Sequence, residues 1–299
     1  MNIQEFKAIA TKAFKILSSK NPLRIAAATA FFTTFSLPGI LLIFIELFGI
    51  FYNPKAVKQG IFSQLIAVIG KESSIKIYGI LNQFTKLAQN WWAAAAGFLF
   101  LIFVITTLFG VVRDSINELW NIDVERKPGL KFYLALRLKS TLIICFAAII
   151  LIAQLSASAL QIILKNHLPE IWSAYNSFWY KLITQVIFVI ITSGWFTILF
   201  RYLANAHPGW RIAAIGGVFT GILFTIGKGI LSVLLTFNSL KEVFGKSGSL
   251  VLILLFVFYC SFIFYYGAAF TKVWSDKKNK KMILDKHAFE YEVKKVKSA

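Results

Sequence analysis

The sequence predicts an all-α, polytopic membrane protein with six transmembrane helices and amphipathic helices in its first external loop. Three observations lead there. Of 299 residues, 58% are apolar and only 15% charged, where a soluble domain carries about 25% charge. Mean hydropathy is +0.69. The apolar residues also gather into runs near 26–51, 91–112, 140–164, 182–202, 212–237 and 250–271, each meeting the about 20 residues needed to cross about 30 Å of hydrocarbon. With 16% aromatics and 6 prolines the chain is not a disordered one. Its formal charge of +19 would suggest nucleic acid in a soluble protein. Here the bases fall between apolar runs and do not interleave with aromatics on a soluble surface, so they read as membrane topology and no nucleic-acid partner is expected.

Taken in chain order, Ile3, Phe6, Ala10, Ala13 and Leu17 recur at helical spacing with lysines on other faces. That pattern suits a helix at the inner headgroup layer; a solvated helical lead-in is the alternative. The run that follows is too long for a signal peptide and reads as a retained first span. Within it, Pro38 follows Thr33, Thr34 and Ser36. Proline removes a helix hydrogen bond, hydroxyls can satisfy freed backbone groups, and a kinked or broken helix is expected, as either a passive bend or a site-lining break.

The external loop at 53–90 holds two amphipathic patterns, one through Phe62, Leu65, Ile66 and Ile69 and one through Ile77, Ile80, Leu81, Phe84 and Leu87. Trp91 and Trp92 then mark a membrane interface. The third span carries Gln154, Ser156, Ser158 and Gln161, the fourth Thr184, Gln185, Thr192, Ser193 and Gly194, and the fifth Gly216, Gly217, Gly221, Gly227 and Gly229. Polar groups at helical spacing should face other helices, and glycines allow close approach. The expected organisation is a single transmembrane domain at 1–275, with the helical loop 53–90 within it. A flexible, basic cytoplasmic tail at 276–299 follows, able to touch anionic lipid or acting only as a topology signal.

Six spans put both termini on one side. Of the 32 Lys and Arg residues, 22 lie in segments sharing that side and 9 on the other, with Lys228 inside a span. The excess places both termini in the cytoplasm. Cys145 and Cys260 lie in apolar runs and imply neither a disulfide framework nor a thiolate metal site. His167, His207 and His287 are scattered, and there is no HExxH, Walker A or GxSxG arrangement. No catalytic residues, metal or cofactor are expected, and the chain reads as a non-enzyme.

An ionisable group within hydrocarbon is costly, by at least roughly 2.5 to 3.5 kcal/mol, and normally turns to the bundle interior. Glu46, late in the first span, and Lys228, in the outer half of the fifth, are such groups. At about 1.5 Å per residue both lie at comparable heights. They are the candidate charged element of an outward-facing cavity, with Ser36 and Gln154 as further substrate-binding candidates. The alternative is independent snorkelling to the outer interface.

Several segments together resemble the YihY/BrkB family of bacterial inner-membrane proteins, once named ribonuclease BN. They are the opening from Arg24 through Ser36 to Pro38; Asp114-Ser-Ile-Asn117-Glu118-Leu-Trp120 after the second span; Pro208-Gly-Trp210-Arg211 followed by Gly216; Phe244-Gly245 through Leu250; and Gly267-Ala-Ala-Phe270. Where the family pattern has an acid after Gly-Ala, this chain has Ala269. The resemblance implies a six-helix, multi-pass protein of the bacterial inner membrane with envelope or lipid-related roles. Asp114, Asn117 and Glu118 lie at i, i+3 and i+4 of one helix and could clamp Arg24, Arg113 or Arg211, or contact substrate. The expected function is transport of a lipid or amphiphile through a polar intramembrane cavity. A non-transporting envelope scaffold with protein partners is the alternative, and neither reading is a ribonuclease.

Overall fold

The structure is a computed structural model that describes residues 3–49, 54–69, 71–87, 91–124, 177–236 and 248–292. Its helices are α1 (Ile3–Ser19), α2 (Pro22–Gly49), α3 (Pro54–Ile69), α4 (Lys71–Leu87), α5 (Trp91–Trp120), α6 (Ser177–Tyr202), α7 (Trp210–Thr236) and α8 (Gly248–Lys277). Four short strands accompany them: β1 (Ile122–Val124), β2 (Ala206–His207), β3 (Ile283–Leu284) and β4 (Ala288–Glu290). Helices α2, α5, α6, α7 and α8 contain stretches long and apolar enough to cross a membrane, giving five among the described residues. The sixth expected span, 140–164, lies outside them.

Helix ends follow local chemistry. Asn21, Asn121 and Asn279 adopt left-handed φ values of 50°, 54° and 51°, and asparagine is one of the few residues that enters that region readily at a helix terminus. Pro22 opens α2, where its missing N–H would have had no helical partner. Helix α2 then runs through Pro38 without interruption, so the expected break does not occur. Only one backbone bond is lost there. In the same stretch the Thr34 hydroxyl donates to the Ala30 carbonyl (2.8 Å) and Ser36 donates to Thr33 (3.1 Å).

The long helices are apolar on their outward faces. On α7, Ile215, Val218, Ile222, Ile226 and Ile230 form one exposed stripe, while Gly216, Gly217, Thr220 and Gly221 are buried on the other side. Leu99, Phe100 and Phe103 on α5, and Leu182, Val186 and Ile190 on α6, are likewise exposed. Contiguous exposed apolar stripes of this kind need an apolar surrounding, and lipid supplies it. This is the fold of an integral membrane protein.

The chain divides into two compact units. The first comprises Met1–Leu17, Ile116–Leu223 and Tyr266–Ala299. In it the apolar face of α1 is buried through Ile9, Ala13 and Leu17. Phe6 packs against Phe219 and Phe270 at ring distances of 5.9 and 5.7 Å, and the Tyr266 hydroxyl donates to the Ala10 carbonyl (3.1 Å). β1 pairs antiparallel with β4, placing Asp123 opposite Phe289, and β2 pairs with β3, placing Ala206 opposite Leu284. The segment from 276 on, expected to be a flexible tail, is therefore built into the fold as far as it is described. Its short segments Ile283–Leu284 and Ala288–Glu290 meet backbone in the loops after α6 and α5, and pairing satisfies both.

The second unit comprises Ser18–Ser115 and Phe224–Tyr265. There α3 and α4 pack on each other and both contact α2. Ile61, Ile77 and Leu81 are buried, and the Phe62 and Tyr78 rings lie 5.4 Å apart. The two amphipathic helices expected at 53–90 are present.

Candidate functional site

Lys228 sits on α7 of the second unit, half-buried, eighteen residues beyond Trp210. Its two glycine neighbours differ. A Cβ at Gly227 would overlap the Tyr259 ring, whereas Gly229 faces open space. The α7 backbone is thus pressed against α8 on one side of Lys228 and free on the other, which leaves room beside a cation within an apolar helix.

Hydroxyls of three helices meet in the same unit. Thr29 of α2 and Tyr265 of α8 approach to 2.5 Å, and Ser115 of α5 also hydrogen-bonds Tyr265. Ser36 is completely buried, but its hydroxyl proton goes to its own helix at Thr33. The Glu46 side chain and Gln154 lie outside the described residues, as does Gly245.

The cluster expected at the end of α5 divides. Asp114 is exposed and pairs with its neighbour Arg113 (3.1 Å). Asn117 turns inward instead: its Nδ2 donates to Asn205 Oδ1 (2.7 Å) and its Oδ1 accepts the Asn205 backbone N–H (3.0 Å). Glu118 is half-buried, and Trp120 is fully buried with its indole N–H donating to the Ala268 carbonyl (2.8 Å). Arg24 and Arg211 are exposed on the first turns of α2 and α7.

Asn205, His207 and Asp285 were not singled out as site residues from the sequence. Asn205 Nδ2 donates to Asp285 Oδ2 (3.3 Å), and the Asp285 backbone N–H donates to the Asn205 carbonyl (2.9 Å). His207 Nε2 lies 2.9 Å from Asp285 Oδ1 and its Nδ1 lies 2.6 Å from the Arg201 carbonyl. Arg201 donates in turn to the Pro208 carbonyl, and its guanidinium covers the Trp210 ring at 4.8 Å. Elsewhere in the same unit, Lys272 binds Glu290 (2.5 Å) and Asp276 (3.0 Å). The sequence signal was Asn205-Ala-His207-Pro208 in a short loop between two apolar runs. Its partner Asp285 stands 80 residues away in the tail, beyond the reach of any local pattern.

Helices α7 and α8 share a reciprocal joint. A Cβ at Gly216 would overlap Thr271, and one at Gly267 would overlap Thr220. Each threonine hydroxyl donates to the glycine four residues earlier on its own helix, Thr220 to Gly216 (2.7 Å) and Thr271 to Gly267 (2.8 Å). Two Gly-x-x-x-Thr segments therefore mate antiparallel, each threonine seated over the other helix's glycine. On the adjoining part of the same buried side, Gly217 and Gly221 meet Ser193 and Thr197 of α6. Among the described residues, no three His, Cys, Asp or Glu side chains gather as a metal site would require.

The family model described as virulence factor BrkB matches residues 13–288. A UPF0761 membrane protein of Saccharophagus degradans is 22% identical over 88% of this chain and 59% of its own length. Relatives of the same name from Idiomarina loihiensis and Aliivibrio salmonicida are 21% and 24% identical, over 72% and 67% of this chain and 70% and 61% of theirs. The chain thus spans about three fifths to seven tenths of the length of these relatives. No solved structure matches.

Proposed function

The chain belongs to the virulence factor BrkB family, and from that premise we propose that it is a bacterial inner-membrane transporter of a lipid or amphiphilic substrate, with both termini in the cytoplasm. The reading rests on Lys228, a half-buried cation inside an apolar span, bounded by a glycine pressed against Tyr259 and a glycine facing open space. A lysine there costs at least roughly 2.5 to 3.5 kcal/mol on insertion scales. An anionic headgroup drawn alongside an ammonium in so apolar a span is strongly attracted, so the ammonium is a way-station for a headgroup leaving one interface for the other. Glu46, Ser36 and Gln154 would line the same path. The chemistry is positioning without bond making, and energy comes from an ion gradient, a partner or a downhill substrate.

The test is flux of fluorescent phospholipid in vesicles reconstituted with the purified protein. Lys228→Ala should reduce the rate at least about tenfold, the equivalent of 1.4 kcal/mol, while Lys228→Arg keeps most of it. Equal flux in wild type and Lys228→Ala at equal incorporation would overturn the reading.

A non-transporting envelope scaffold is the second reading. It is favoured by the α3–α4 pair, which leaves Ile75 and Tyr78 exposed on α4. A stoichiometric protein partner recovered with wild type and lost in Ile75→Ser, together with no lipid flux, would decide for it.

A further inference from the structure

We propose that the first unit carries a contact surface for anionic phospholipid: Lys7, Lys12 and Lys15 of α1, with Lys280 and Lys281 of the turn after α8, hold headgroup phosphates of the leaflet facing the two terminal segments. The inference stands whether or not the protein moves a substrate.

Helix α1 has two unlike faces. One is buried through Ile9, Ala13 and Leu17. The opposite face carries Gln4, Lys7, Ala8, Thr11, Lys12 and Lys15, all exposed. At 3.6 residues per turn these six fall within an arc of about 140°. The three lysines are exposed and share this one face.

Neighbouring carboxylates are already engaged. Glu5 pairs with Lys277 (3.3 Å), Asp276 and Glu290 with Lys272, and Asp285 with His207. Glu5, Asp276 and Glu290 are thus directed to other lysines and Asp285 to the His207 ring, and the surface keeps an excess of positive charge.

Position selects lipid as the partner. The apolar stretch of α8 ends at Lys277, and the register Ala206↔Leu284 fastens the following turn to the loop joining α6 to α7. Lys280 and Lys281 therefore stand a few residues from the ends of three apolar helices. The Glu5–Lys277 pair brings the start of α1 to the same place. Among the lysines, Ile283 is 66% exposed and Phe14 is 50% exposed. Basic residues interspersed with exposed large apolar ones at a helix boundary match a headgroup layer, which takes both. A polyanion in water accepts only the charge.

The full chain in vesicles of phosphatidylcholine with a minor share of phosphatidylglycerol provides the test. Electron spin resonance of spin-labelled lipids measures which lipid is immobilised at the protein. Wild type should immobilise phosphatidylglycerol several-fold more than phosphatidylcholine, and about 0.5 M salt should diminish the preference by screening. Substituting Lys7, Lys12, Lys15, Lys280 and Lys281 together by glutamine should bring the two lipids to within about twofold of each other, against the preference expected of a polybasic surface. The pair Lys280→Gln and Lys281→Gln, confined to an exposed turn, should show part of the loss without disturbing a helix. Lys71→Gln with Lys76→Gln, on α4, should keep the wild-type preference. The proposal is overturned by an undiminished preference in the five-fold variant, by an equal loss in the α4 control, or by no preference in wild type. Retention of nucleic acid or an acidic protein by these lysines in place of phosphatidylglycerol overturns it as well.

Discussion

Asn117 and Asn205 each give the other what a buried amide lacks. Asn117 uses both ends of its amide on Asn205, donating to its side chain and accepting from its backbone. Removing one partner therefore leaves buried donors and acceptors unsatisfied, at about 1–3 kcal/mol. Asn117→Ala should lower the unfolding temperature of the detergent-solubilised protein, and Asn117→Asp should do so at neutral pH too, because a carboxylate would face Asn205 Oδ1 where Nδ2 now donates. An unchanged transition in both would show that the pair contributes nothing. The sequence picked out Asn117 by resemblance and by its place on α5 but could not say which way it pointed. Asp114 and Glu118, three and one residues away, keep the wetter faces of the same helix. Spacing alone put the three together; burial by the loop after α6 separates them.

Two elements behave in ways that composition only half reveals. Glycine enrichment in the fifth span was legible, and so was its purpose of close approach. The mating of Gly216 and Thr220 with Thr271 and Gly267 was not, since a sequence does not say which helices are neighbours. Because each glycine faces a threonine side chain with no room for a Cβ, Gly216→Leu and Gly267→Leu must push α7 from α8. Overpacking of this kind costs typically about 1–3 kcal/mol. Each variant should lose stability in a thermal melt, and Gly209→Ala, where nothing lies within 4 Å, should not; equal behaviour of all three would refute the joint. The tail is the second case. Its lysine-rich composition suggested a solvated chain, yet the short segments Ile283–Leu284 and Ala288–Glu290 are enough to pair with backbone already waiting beside α5 and α6. Because the Asp285 N–H donates to the Asn205 carbonyl, Ala206 and Leu284 form a non-hydrogen-bonded pair and Ile283 is the β3 residue whose N–H turns to β2. Ile283→Pro removes that donor and strains β2. Limited proteolysis should then cut within 203–209 at enzyme levels that leave wild type intact. Resistance equal to wild type would mean that the pairing does not hold the loop.

At the scale of the molecule, charge counting and apolar periodicity predict the spans, and five of them appear among the described residues. Contacts inside the first unit bring together the ends of three of them, α5, α6 and α8. The ends of α5 and α6 both belong to it, joined by Asn117 to Asn205, and the end of α8 joins them through the Trp120 bond to Ala268. Two successive spanning helices that finish on one face need a return crossing between them. The apolar run 140–164, the third span expected from sequence, lies outside the described residues, and we predict that it makes this crossing. Single cysteines placed in a variant lacking Cys145 and Cys260 test this with a thiol reagent that does not cross membranes. Asp123→Cys, Gln4→Cys and Lys280→Cys should be protected in intact spheroplasts and labelled once the membrane is opened, because basic residues concentrate on their side. Ser63→Cys on α3 and Lys181→Cys near the start of α6 should be labelled in the intact cells. Should Asp123→Cys and Lys181→Cys report the same face, the return crossing is absent and the six-span topology fails. Should the two sets exchange behaviour, the spans stand and the orientation inferred from charge is reversed.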